Sequence, residues 1–536
     1  MVVTLIKDVL TSNKLVCYGN CHSFLLFTGK RRMGMLLYLF LIIYFVILIT
    51  VFIYAAHRYY MVYLYYRHQK NKPHPPGRLN PLPHVTIQLP IFNEMYVVRR
   101  LISSACGIDY PRELLEIQVI DDSTDETSTI AEECVKEFKK KGYDIVYIHR
   151  NERRGFKAGA LAEGMKSAKG EFIAIFDADF VPPQDILQKT IHYFADERVG
   201  MVQTRWVYLN RDYSLLSKIQ AIMLDGHFVI EHTARNWSGR FFNFNGTAGI
   251  WRKKAIETSG GWQFDTLTED LDLSYRAQVN GWRFIFLRDE VSPSELPVEI
   301  NGFKNQQHRW AKGSIQTARK LLFQIFKSNL PLKVKTEAFF HLTNNMAYLL
   351  MLLLSVLMYP SMIARINIGW FQMLVTDIPF LLVATVGISF FYTCSQKESV
   401  KDWKKRLIYM PMLMSLGIGL SVNNSKAVLE AFLGRHTEFQ RTPKFKIENK
   451  DDKWYHKRYY GRSSPTVIIE LLLGIYFTFN IYFAYINRIY VSIPFLMIFQ
   501  VGYFYVAFLS LYQVIFRRIF VSYNNLLRKE GRAVAL

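Results

Sequence analysis

The stretch Met33 to Ala56 contains no charged residue, and its length matches the roughly 20 residues a helix needs to cross a bilayer. Inside lipid, every backbone N–H and C=O must be paired within the segment, so such a stretch has to be helical. Four later apolar runs, Phe340–Pro360, Phe371–Cys394, Pro465–Ile486 and Ile489–Phe516, are also long enough to cross, although Asp377 and Glu470 interrupt two of them. The chain is therefore expected to be an α-helical membrane protein with a soluble domain between its spans. Lys30, Arg31 and Arg32 precede the first run as a signal-peptide n-region would. The run itself is too long for an h-region and reads as a retained helix.

Half of the 536 residues are hydrophobic and 15% are aromatic, yet the formal charge is +22. The basic residues sit beside the apolar spans and not on a nucleic-acid reading module, so membrane lipid and not nucleic acid is the expected partner. The positive-inside rule then assigns the soluble domain, the loop 425–464 and the tail 517–536 to the cytoplasm, with the amino-terminal segment 1–32 outside. Leu407–Leu420 has basic residues on both sides (Lys404, Lys405 and Arg406; Lys426 and Arg435) and reads as re-entrant or interfacial. It falls among the membrane helices of 337–424, which are followed after the loop by those of 465–516. The cysteines Cys17, Cys21, Cys106, Cys134 and Cys394 have no zinc-ligand spacing and imply no disulfide framework. Cys17 and Cys21 can bridge only outside the cytoplasm.

After the span 33–56 and a basic, proline-bearing linker at 57–83, the composition over 84–336 becomes that of a soluble domain. Strand patterns at Val85–Leu89, Glu116–Ile120, Ile145–His149, Phe172–Phe176 and Gly200–Trp206 alternate with helical patterns at Met95–Ala105, Ser128–Lys140, Lys157–Ala168 and Gln184–Phe194. This alternation predicts a doubly wound, mostly parallel α/β sheet of Rossmann-like type. The amphipathic stretch Leu215–Asn236 is expected beneath that sheet or against the membrane.

The fourth strand pattern ends in Asp177-Ala178-Asp179. Two carboxylates at the carboxyl end of a strand suit one hard divalent cation, Mg2+ or Mn2+, with phosphate oxygens and water completing its shell. A solvated acidic loop is the plainer reading of that motif alone. Asp121 and Asp122 end the second strand, where a carboxylate can accept hydrogen bonds from a nucleoside. Phe92 and Glu94 follow the first. Arg154-Gly155-Phe156-Lys157 opens a helix in a way suited to phosphate. Thr268-Glu269-Asp270 looks like a helix start, with Thr268 as cap and Asp270 a possible general base. Phe244-Asn245-Gly246-Thr247 is a small-residue turn that lets a ligand approach the backbone. On a helix, Gln306, Arg309 and Trp310 share one face, which suits a diphosphate and a sugar ring; an anchoring interfacial helix is the alternative.

Taken in order, Asp121-Asp122, Asp177-x-Asp179, Thr268-Glu269-Asp270 and Gln306-x-x-Arg309-Trp310 resemble the motifs of processive, membrane-embedded family 2 glycosyltransferases, the group containing cellulose, chitin and hyaluronan synthases. Within it the chain is most similar to the cellulose synthase-like A and C branch, which makes mannan, glucomannan or glucan backbones. The resemblance implies a GT-A fold and inverting transfer from GDP-mannose or UDP-glucose to a β-linked glycan. A ceramide-glucosyltransferase-like transfer to lipid, or an inactive scaffold, are the alternatives. By position it implies that Asp121 and Asp122 contact the nucleoside and that Asp177 and Asp179 hold nucleotide and metal. Asp270 would be the base, with Glu269 beside it. Glu94, Lys157, Gln306, Arg309 and Trp310 would belong to the donor site, Trp310 also reaching the acceptor, and Phe244, Asn245, Gly246 and Thr247 would border the acceptor. Phe439-Gln440-Arg441-Thr442-Pro443-Lys444 is similar to the gating-loop motif of cellulose synthases, with Arg441 where the family has Val, and implies nucleotide contacts from Thr442 and Lys444. Asn344, Asn345, Asp377 and Glu470, in or near apolar spans, either line a polar path for the glycan or bond to neighbouring helices.

Overall fold

The computed structural model describes residues 22–365, 370–435, 437 and 439–529. Cys17, Cys21 and the rest of segment 1–21 lie outside the described residues, as do 530–536 and the side chain of Asp377. A long helix α1 (His22–Arg67) leads into seven strands: β1 (Val85–Ile91), β2 (Leu115–Asp121), β3 (Asp144–His149), β4 (Phe172–Ile175), β5 (Val199–Tyr208), β6 (Gly249–Arg252) and β7 (Arg283–Ser294). They form one sheet in the order β3-β2-β1-β4-β6-β5-β7. Helices α2 (Val98–Cys106), α3 (Thr127–Lys140) and α4 (Phe156–Ser167) link the first four strands. Because helices cover both faces, β2 and β4 are buried at every position; β4 is wholly apolar, whereas β2 also buries Glu116, Gln118 and Asp121. The edge strand β3 is half exposed.

All five strands expected from the sequence are present, and two more complete the sheet. β6 runs antiparallel between β4 and β5, so the sheet is mixed. It is only four residues long and opens with a glycine, too little for a period-2 signal, but its Trp251 is fully buried. β7 pairs with β5, and its partner position jumps from Leu287 opposite Thr204 to Val291 opposite Arg205. The bulge extrudes Arg288, Asp289 and Glu290, which is why a charged run hides this strand in the sequence.

Leu215–Asn236 packs beneath the sheet, as expected, and also against α1. Helix α5 (Leu215–Asp225) begins in a Ser214–Ser217 capping box, continues as a π-helical turn (Gly226–His232) and ends at Thr233–Trp237. Phe228 packs on Trp206 of the sheet at 4.9 Å between ring centroids. Val229, Ile230 and Ala234 pack on Met61, Val62 and Tyr65 of α1.

Downstream come α6 (Glu269–Val279), α7 (Ile300–Lys327), α8 (Leu332–Thr343), α9 (Met346–Arg365), α10 (Trp370–Ser399), α11 (Met410–Gly419), α12 (Ser421–Phe432), α13 (Thr466–Ile486) and α14 (Ile493–Lys529). Among the described residues, five segments are long and apolar enough to cross a membrane: Leu39–Arg67, Met346–Ala364, Trp403–Phe432, Thr466–Ile486 and Tyr490–Phe520. Helix α10 covers the expected run Phe371–Cys394. The segment containing Leu407–Leu420 is the most enclosed of the five, 61% of its apolar window being buried against 28–33% in the others. Glycine permits this: a Cβ at Gly419 would lie 2.3 Å from the Gly502 carbonyl oxygen, so α11 and α14 touch backbone to backbone. Two of the intraspan polar residues are engaged by neighbours. Glu470 pairs with Lys304 of α7 at 2.6 Å, both fully buried, and Asn344 Oδ1 accepts from Arg58 Nη2 at 3.4 Å.

Candidate active site

The carboxyl ends of β1, β2, β4 and β7 open into a cavity of about 170 Å3, closed on the other side by α6, α7 and the segment 439–444. Glu94, Asp122, Lys157, Asp177, Asp179, Asn245, Gly246, Glu269, Asp270, Gln306, Arg309, Trp310, Thr442 and Lys444 all line it. Residues drawn from positions 94 to 444 thus share one cleft at the edge where open α/β sheets bind ligands.

Three expected residues do not reach the cavity. Asp121 is fully buried and accepts from Ser123 N, Tyr147 Oη at 2.6 Å and His149 Nδ1 at 3.1 Å. Successive side chains leave a strand on opposite sides, so of the two aspartates only Asp122 faces the opening. Phe244 turns into the core against Trp251. Thr247 is buried beneath Asp177, its Oγ1 accepting the Asp177 N–H at 2.8 Å. These two support the site from below rather than border it.

β4 ends at Ile175, and Asp177 and Asp179 stand in the turn that follows, closed by a Phe180 N–H to Asp177 O bond of 3.0 Å. They face one cleft because of that turn and not because of strand pleating. Lys157 Nζ donates to Asp177 Oδ1 at 2.5 Å and to Gly246 O at 2.8 Å. Lys444 Nζ donates to Asp179 Oδ2 at 2.7 Å. Asp122 receives both Nε and Nη2 of Arg150, each at 2.6 Å. Thr268 makes no side-chain cap to α6, contrary to expectation; its methyl and hydroxyl pack tightly over Gly313 of α7 instead. Asp270 Oδ1 accepts the Leu271 N–H at 2.8 Å, and a Cβ at Gly246 would lie 3.1 Å from Asp270 Oδ2. Gly246 also has φ +82°, so both conformation and space call for glycine there.

Electrostatics separate these acids. Burial, followed by the neighbouring Glu269 carboxylate, pushes Asp270 up to about 7. Burial likewise raises Glu269, Asp177 and, to about 8, Glu94. Burial pulls on Lys157 in the opposite sense, but Asp177, Glu269 and Asp270 more than offset it and hold the ammonium above the usual lysine value. The cavity thus holds an acid with a proton affinity near neutrality next to a permanent cation.

Arg150, Arg153 and Glu295 had no signal in the individual motifs, whereas Phe439 and Arg441 fell within the gating-like motif without an assigned contact. Arg153 lies 3.4 Å over the Phe92 ring. Like Arg150, it follows the carboxyl end of β3, a position that could have marked it. Phe439 stacks on Phe156 and lies 4.5 Å under the Arg309 guanidinium, whose Nη1 donates to Gln440 O at 2.9 Å. Arg441 covers the Tyr459 ring at 3.9 Å. Glu295 follows the undetected β7; its two carboxylate oxygens accept the Phe445 and Lys446 N–H groups, each at 2.9 Å. Val298, Phe445 and Ile447 form a buried cluster beside it. The segment 439–447 is therefore anchored over the cavity.

Among the described residues, no group of three or more His, Cys, Asp or Glu side chains could by itself hold a metal. Asp177 and Asp179 nevertheless offer two hard oxygen donors on one cleft, already balanced by two lysine ammonium groups. That set fits a Mg2+-type ion taking one or two carboxylates plus substrate phosphates.

Residues 83–313 match the family described as "Glycosyltransferase like family 2". Glucomannan 4-beta-mannosyltransferase 1 of Oryza sativa subsp. japonica is 42% identical over 252 residues, 46% of this chain and 48% of that protein. Probable glucomannan 4-beta-mannosyltransferase 4 of the same organism is also 42% identical over 252 residues, 46% of each chain. The chain spans about half the length of the curated relatives it matches. Among solved structures it is similar to mannosyltransferase PcManGT from Pyrobaculum calidifontis in complex with GDP-Man and Mn2+, at 21% identity, TM-score 0.47, and 73% and 99% coverage of the two chains. Residues 83–313, the part that matches the glycosyltransferase-like family 2 model, hold the mostly parallel seven-stranded sheet described above.

Proposed function

We propose that the protein transfers a hexosyl residue from a nucleotide sugar to a hydroxyl of a growing β-linked glycan, with inversion at the anomeric carbon. One observation carries this reading: Asp177, Asp179, Glu269, Asp270, Gln306, Arg309 and Trp310 line a single cavity. The names of the 42%-identical relatives favour a mannosyl donor and a glucomannan-type product; GDP-mannose and UDP-glucose are the first donors to test.

In this reading Asp122 and the Arg150–Arg153 pair receive the nucleoside end. Lys157 and Arg309 bind the diphosphate, and Thr442 and Lys444 cover it from the anchored segment. Asp177 and Asp179 hold Mg2+ or Mn2+, which when bound neutralises charge on the leaving diphosphate. Asp270 takes the proton from the attacking acceptor hydroxyl, and Glu269 tunes it by raising its proton affinity. One base suffices, because the diphosphate leaves without the general acid that glycoside hydrolysis requires. Trp310 offers a flat face to the acceptor ring. The domain faces the cytoplasm of a multi-pass protein, in agreement with the basic residues flanking its spans. Successive transfers build a polymer.

The test is purified protein with Mn2+ or Mg2+ against a panel of sugar nucleotides, scoring nucleotide release and product length. The expected result is release with one donor, dependent on the metal, and products of many sugars. A single sugar on lipid would replace the polymer reading with lipid glycosylation, and no release with any donor would remove the enzyme reading.

A further inference from the structure

Asn245 lines the cavity one residue from Gly246, whose absent side chain leaves room for Asp270. Its amide is held from behind by the π-helical turn. His232 Nε2 lies 2.7 Å from Asn245 Oδ1, and His227 Nε2 lies 3.1 Å from Asn245 Nδ2. The two imidazoles are 4.2 Å apart between centroids. A π-turn packs an extra residue into the helix and is often found at functional sites; here it brings residues 227 and 232 to one amide.

Two further acceptors remove the choice of orientation. His232 Nε2 is also 3.1 Å from the Asn243 carbonyl oxygen, so that nitrogen carries hydrogen. His227 Nδ1 is 3.1 Å from the Glu231 carboxylate, so that nitrogen carries hydrogen too. Glu231 in turn pairs with Arg58 of α1 and with Arg235, the latter at 3.7 Å. Burial keeps both imidazoles neutral, well below the usual histidine range for His227 and at about 3 for His232. A neutral His227 protonated at Nδ1 presents a lone pair at Nε2. His232 must therefore donate to Asn245 Oδ1, and Asn245 Nδ2 must donate to His227. A flipped amide would oppose N–H to N–H and oxygen to a lone pair. Each amide atom keeps one bonding direction in reserve, one acceptor and one donor side by side. A sugar hydroxyl, which donates and accepts at once, is the matching ligand.

We propose that His227 and His232 are positioning residues that lock the Asn245 amide so that it binds a hydroxyl of the acceptor sugar beside Asp270. This rests on the glycosyl-transfer reading. It adds that acceptor recognition is set from the far side of the site by a helix packed on α1. The donor end of the cavity is bound by other residues, so damage to the relay falls on the acceptor alone.

The experiment uses the full chain in lipid nanodiscs with the donor that supports release and β-1,4-mannotetraose as acceptor. In His227→Phe and in Asn245→Ala the acceptor KM should rise about tenfold, the loss of one hydrogen bond. The donor KM should stay within about twofold, and a larger share of released nucleotide should come from hydrolysis instead of transfer. His227→Gln, whose side-chain oxygen can accept from Asn245, should recover part of the acceptor affinity, and the double variant should be no worse than either single one. An unchanged acceptor KM in both single variants, or donor and acceptor KM rising together, overturns the proposal. If His227→Phe does not fold, Asn245→Ala decides by itself, because it only shortens a side chain at the cavity wall. A wild type showing no acceptor-dependent release fails at the earlier step and sinks the transfer reading itself.

Discussion

At the scale of single residues, Asp270 and Gly246 carry the sharpest consequences. Asp270 must be ionised to accept a proton, and its affinity is raised from the ordinary 3.8 to about 7. Transfer should therefore climb with pH through about 7, measured as kcat/KM against pH. The same shift has a stability consequence of opposite sign. A carboxyl with a raised folded-state value contributes stability that is present below pH 3.8 and lost as pH rises through about 7. Asp270→Asn, which cannot ionise, should thus gain in thermal stability over wild type as pH rises from about 4 to about 7 and keep that margin above it, even as it loses activity. Gly246→Ala is expected to cost about 1–2 kcal/mol through its left-handed backbone and to crowd Asp270, lowering kcat more than donor affinity. The residue types of this site were legible in the sequence, but their facing was not. Asp121 and Asp122 look equivalent as letters, and only the direction of β2 decides which meets the ligand. Asn245 was expected at the acceptor, whereas the histidines behind it had no motif, since a π-turn breaks the helical spacing by which they would have been paired.

At the scale of elements, strands and helices with a strong period were found in sequence and the two irregular strands were not. β6 is too short and β7 too interrupted, and losing β7 from view also hid Glu295, which follows it. Glu295 ties the segment after Lys444 to the sheet through two backbone N–H groups. Glu295→Ala should release that tie. Hydrogen exchange at Phe445 and Lys446 is then expected to speed up, and donor KM to rise as Lys444 loses its seat beside Asp179. Unchanged protection at these two amides would mean that the buried Phe445–Ile447 cluster alone anchors the segment.

At the scale of the whole molecule, the domain and the bundle are joined by buried charge as well as by apolar contact. Lys304 of α7 and Glu470 of α13 form an enclosed pair, and the same α7 carries Gln306, Arg309 and Trp310 to the cavity. Lys304→Ala leaves a carboxylate buried without its partner, a change that typically costs roughly 3–5 kcal/mol. Thermal unfolding in detergent should fall sharply for Lys304→Ala and recover when Glu470→Gln is added. Sequence identified Glu470 as an anomaly in an apolar span, but its partner lies 166 positions away and only the packing of α7 on α13 reveals it. This arrangement gathers the acids on which transfer depends, and the decisive measurement sets sugar incorporation beside nucleotide affinity in wild type and Asp270→Asn. If Asp270 is the base, nucleotide affinity stays unchanged while incorporation falls about a hundred- to ten-thousand-fold. Near-normal incorporation by Asp270→Asn would contradict that role.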